Sequence, residues 1–154
     1  MKFLIVVLVV LVVLAAVGWL VALARNSRKV RSGDAALLEL YPGHDTSGVP
    51  ESWARGHDPE ARLHRRMRES LAALRGSPDV DVAYLDTRVQ LELAAGELDR
   101  RLIASALLRV EQKQQFLDRA ETAVRSLESV TSTMIAGHAP APAEVDAALK
   151  RLQA

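Results

Sequence analysis

Residues 58–78, DPEARLHRRMRESLAALRGSP, hold one helix with both of its ends marked, and the fold class is read from them. Asp58 stands at the N-cap position, Pro59 at N1 and the acid Glu60 in the first turn, the arrangement that opens a helix. Leu63, Met67, Leu71 and Leu74 recur at spacings of four, four and three and fall within a stripe about 80° wide at 100° per residue. Arg62, Arg65, Arg66, Arg68 and Arg75 take the remaining surface, and Gly76-Ser77-Pro78 closes the segment. The helix is short, amphipathic and basic.

The next helix starts where this one stops, because Ser77 can cap while Pro78 occupies N1. From residue 79 to Ala136 there is no proline, and Gly96 is the one internal glycine. The spacing predicts a single long helix over 79–136 with a bend or register shift near Gly96. In its second half Ile103, Val110, Leu117 and Val124 fall seven apart, and Leu127 occupies the companion row three residues on. These five residues are expected to form an interaction seam. A straight helix of that length would reach ~85 Å, against ~25 Å for the 59–75 helix. The shorter helix cannot cover the seam, and each leucine left in water forgoes roughly 1.5–3 kcal/mol. Either the long helix breaks and folds on itself or it pairs with another chain, and the expectation is a homo-oligomer or a helical protein partner.

Beyond the seam, 137–142 (GHAPAP) reads as a linker, and 143–154 as a short C-terminal helix with Val145, Leu149 and Leu152 on one side. On the other side, residues 25–58 read as a juxtamembrane linker with one weak helical patch, Asp34 to Tyr41. Trp53, inside this loop, is expected to pack on the domain or touch the membrane surface rather than to anchor a partner.

Phe3 to Ala24 carries no charge and would form ~33 Å of helix, enough to cross a hydrocarbon core of about 30 Å. The competing reading is a cleaved export signal, since Ala22-Leu23-Ala24 is a small-x-small pattern ahead of Arg25. Export h-regions run about 7 to 15 residues, shorter than this run, so residues 1–24 are read as an uncleaved single-pass anchor. Lys2 flanks it on one side and Arg25, Arg28, Lys29 and Arg31 on the other, which places the N-terminus outside and the C-terminal domain in the cytoplasm, at the inner membrane of a bacterium. The same four cations, with Arg62, Arg65 and Arg66, are candidate contacts for anionic lipid.

Composition closes off several chemistries. The 154 residues include no cysteine, so disulfides, thiolate metal sites and thiol nucleophiles are excluded. His44, His57, His64 and His138 are the remaining metal-ligand types, yet His57, Glu60 and His64 do not match the spacing of a helical zinc pair, and no metal or cofactor is expected. No serine lies in a nucleophile elbow and no glycine-rich phosphate loop is present, so the chain is read as a non-enzyme. No aromatic residues interleave the arginines and the pI of about 8.2 is not extreme, which argues against nucleic acid. The sequence therefore predicts an all-α protein: one N-terminal transmembrane helix followed by a helical hairpin of coiled-coil type. Its expected role is a membrane-anchored interaction or scaffold module, with an exported helical binding protein as the alternative.

Overall fold

The computed structural model describes residues 36–77 and 84–154, and among them every regular element is helical. The helices are α1 (Pro59–Gly76), α2 (Leu85–Ala104), α3 (Val110–Ile135) and α4 (Pro142–Gln153), with 3-10 turns at Glu51–Ala54 and Ser105–Leu107. No helix among the described residues is long and apolar enough to cross a membrane, and the span expected at 3–24 lies outside them. The all-α expectation is met by the described part of the chain.

Helix α1 forms where its signals lie, with Pro59 in the first turn and Leu63, Met67, Leu71 and Leu74 all buried. The Asp58 side chain makes no cap bond; its backbone carbonyl instead accepts from the Arg62 amide at 3.0 Å. The expected continuous helix over 79–136 is corrected: the chain breaks at residues 105–109, not at Gly96, which lies inside α2. Leu108 and Arg109 are extended, with ψ of 155° and 150°. The Ser105 hydroxyl donates to the Leu102 carbonyl at 2.6 Å, one of the local side-chain bonds that compete with helix propagation. The larger reason is burial. Breaking the rod lets both halves fold inward, so that Leu91, Leu98 and Leu102 of α2 and Leu117, Val124 and Leu127 of α3 enter one core.

The expected hairpin is accordingly a four-helix array. Helix α1 packs on both α2 and α3, and α4 packs on the same two helices. Cross-links between named side chains fix the directions. Arg75 meets Glu92 and His64 meets Asp99, so α1 and α2 are antiparallel. Glu60 meets Lys113 and Arg66 spans Glu121 and Glu128, so α1 and α3 run parallel. Arg101 near the end of α2 donates to the Leu152 and Gln153 carbonyls, satisfying acceptors that the end of α4 leaves open.

The α3–α4 connection turns at Gly137, whose φ of +74° is a left-handed conformation that favours glycine, and the His138 amide returns to the Thr133 carbonyl at 3.1 Å. The linker expected over 25–58 is also corrected. The compact unit begins at Leu37, and Leu38, Leu40, Val49 and Trp53 are buried in the common core. Trp53 lies against the His64 ring at 5.7 Å, the packed role expected for it. Within the helical patch expected at 34–41, residues 36–38 are helical.

Candidate functional site

Helix α2 is apolar on two faces, and its neighbours bury one of them. Leu91, Ala94, Ala95, Leu98, Asp99 and Leu102 face the core. On the opposite arc, Leu85, Val89 and Leu93 are 44%, 43% and 61% exposed. At 100° per residue these three share an arc of ~80° with Gly96, Arg100 and Ile103. The folded connector covers the lower part of that arc. A Cβ on Gly96 would come within 2.9 Å of the Tyr41 hydroxyl and 3.4 Å of the His44 ring, so the glycine lets these two side chains lie directly on the helix, and a larger residue would push the end of the Tyr41 side chain aside. A Cβ on Gly48 would stand 3.8 Å from the Ile103 side chain. A groove of about 400 Å³ opens here, lined among others by Tyr41, His44, Gly48, Leu93, Gly96 and Ile103.

Beneath the groove a carboxylate sits between two imidazoles. Asp99 is fully buried, and its Oδ1 accepts from His64 Nδ1 at 2.7 Å. His44 Nε2 stands 4.0 Å from Asp99 Oδ2, and that oxygen has no hydrogen-bond partner among the described residues. The His44 imidazole is held below its ordinary value, chiefly because burial penalises the cation, with the neighbouring Asp99 carboxylate opposing the shift. Tyr41 packs on His44 with ring centroids 5.0 Å apart, and the Arg75 guanidinium lies 5.5 Å from the centre of the Tyr41 ring. Burial pushes the Tyr41 hydroxyl above its ordinary value. The cluster therefore pins residues 41–53 onto α1 and α2. His64 and Asp99 within it are closed off from solvent.

The predicted seam is dispersed. Leu117, Val124 and Leu127 are buried inside the domain, Ile103 is half-buried on the other side of the break, and Val110 is 84% exposed at the elbow beside Leu107 and Leu108. Their heptad spacing reflects intramolecular packing, so the seam as an outward surface is corrected. Of the arginines expected to meet lipid, Arg25, Arg28, Lys29 and Arg31 lie outside the described residues. Arg62 is exposed. Arg65 donates to the Gly56 carbonyl at 2.6 Å, and Arg66 bonds Glu121 and Glu128 at 2.6–2.8 Å, which turns both cations inward to hold the fold. The Glu121 carboxylate is held below its usual range, first by its hydrogen bond from Arg66.

His57 and His138 are exposed, and among the described residues no group of three or more His, Cys, Asp or Glu side chains is placed to hold a metal ion. The meeting of Asp99 with His44 carries no signal in the sequence, because the two are 55 residues apart and share no motif. Asp99, like Glu92, does leave a trace, a charged residue type falling where the helical register wants an apolar side chain. Compared with protein-family models, curated proteins and solved structures, the chain matches none.

Proposed function

We propose that the protein is a membrane-anchored, non-catalytic interaction module: residues 3–24 cross the inner membrane once, and the helical domain stands in the cytoplasm and offers the second apolar face of α2 to a helical partner. The observation that carries this reading is the uncovered row Leu85, Val89 and Leu93 on a helix whose other face is fully packed. Apolar side chains gathered on one rigid exposed face are what a helix-on-helix contact uses. The uncharged stretch from Phe3 to Ala24 and the cations after it support the anchor and its orientation.

The test uses the absence of native cysteine. Ser52 is exposed, so Ser52→Cys in the full chain reports which compartment the domain occupies. The expected outcome is retention in the membrane fraction after alkaline extraction, with maleimide labelling only after lysis. Labelling of intact cells would overturn the orientation, and release into the soluble fraction would overturn the anchor. The alternative, an exported binding protein cut after Ala24, is supported by Ala22-Leu23-Ala24, and the mass of the mature N-terminus separates the two.

A further inference from the structure

Asp86, Leu93 and Arg100 follow one another at seven-residue steps along α2, and all three are exposed. A seven-residue step brings a helix back to within ~20°, so the three form one row on the uncovered face, with Leu85 and Val89 beside it. The row begins with an acid, ends with a base and has its apolar centre midway. We propose that it is a self-pairing surface: a second copy of this chain lays its α2 antiparallel on the first, with a two-fold axis beside Leu93, so that Asp86 of each copy faces Arg100 of the other. This deepens the interaction-module reading and rests on it.

The charges choose both the occupant and its direction. Parallel pairing sets Asp86 against Asp86 and Arg100 against Arg100, whereas antiparallel pairing satisfies both ends at once, and a two-fold contact makes each match twice. The same register brings Val89 of one copy toward the groove over Gly96 of the other. An anionic membrane fits this face less well, because the acids Asp86 and Glu97 lie on it. Arg100 already pairs with Glu97 on its own helix, but both are solvent-exposed, and such pairs exchange at little cost. Three half-exposed apolar side chains make a small patch, so the contact belongs to the weak, transient class below about 1,200 Å². Cross-linking of the full chain in native membranes is therefore the fitting readout.

With no native cysteine, single-cysteine variants and a short bis-maleimide report the geometry directly. Leu93→Cys is expected to give a covalent dimer of the chain. Asp86→Cys co-expressed with Arg100→Cys is expected to cross-link as a mixed pair, while either alone does not, because its two copies then lie about 21 Å apart along the helix. Added to Leu93→Cys, D86R or R100D alone is expected to lower the dimer yield roughly five-fold, and the two together to restore it. These positions are exposed, so the variants are expected to keep the wild-type circular dichroism. Self-cross-linking of Asp86→Cys alone or of Arg100→Cys alone, no dimer from Leu93→Cys, or failure of the double reversal to restore it overturns the proposal. If Leu93→Cys cross-links only to a different protein, self-pairing falls while the interaction-module reading stands. If the Ser52→Cys experiment releases the domain from the membrane, the anchored reading falls on its own.

Discussion

Asp99 is a fully buried carboxyl group held by one close imidazole, and buried polar groups persist where they find such a partner. Beside it, burial holds the His44 imidazole below its ordinary value. The groups facing it are Asp99 and Arg100 from α2, His64 from α1 and Asp45 from its own segment. Its folded-state value lies below the ordinary 6.5, so the folded protein takes up the proton at lower pH than the unfolded chain does. Its contribution to stability is fully present above pH 6.5 and is lost as pH falls through the folded value. The expected outcome is a decline in denaturation midpoint below 6.5 that is shallower in His44→Asn, measured by urea titration down to pH 4.5. Parallel slopes for the two proteins would remove His44 as a source of acid sensitivity. Glu121 acts in a lower window: its value is depressed from 4.5, so its contribution is present above that pH and lost in stronger acid.

At the scale of elements, the two faces of α2 and the break after it give residues of the same type opposite roles. Leu117 lies on α3 at 7% exposure inside the core, and Leu93 lies on α2 at 61% exposure outside it. Leu117→Asp is expected to cost about 3–5 kcal/mol, the penalty for an uncompensated buried charge. That is a large part of a domain stability of roughly 5–15 kcal/mol. Leu93→Asp is expected to change stability within about 0.5 kcal/mol, as surface substitutions do. Chemical denaturation of the two variants side by side checks the pair of values. Equal losses would show that the α2 row is covered within the chain itself. The heptad spacing of α3 was legible, but periodicity reports only that a face is buried and is silent on whether the cover is a neighbouring helix or another molecule.

For the whole molecule, α4 is the element that closes the array, since it touches α2 and α3 together and buries Ala148 and Leu152 completely. A chain stopped at Gly137 would uncover the surfaces of both helices at once and remove the carbonyls that hold Arg101. The expected outcome is retained far-ultraviolet helical signal with lost near-ultraviolet signal, dye binding and a non-cooperative melt, the behaviour of a collapsed but loosely packed state. A sharp melt near that of the full chain would show that α1, α2 and α3 suffice.

Helix identity in this chain is a local property, and the sequence determined it: the Asp58-Pro59 start, the Gly76-Ser77-Pro78 stop, the left-handed turn at Gly137 and the apolar spacing of α1, α3 and α4 all rest on interactions within a few residues. The break at residues 105–109 has no proline or glycine to announce it, because it is selected by the core that forms when both halves turn inward. The joining of His44, His64 and Asp99, the capture of residues 37–58 by the domain, and the division of the α2 side chains between a buried and an open face were decided by tertiary structure alone. Each depends on which surfaces meet across tens of residues of chain, and neither periodicity nor end signals encode that pairing.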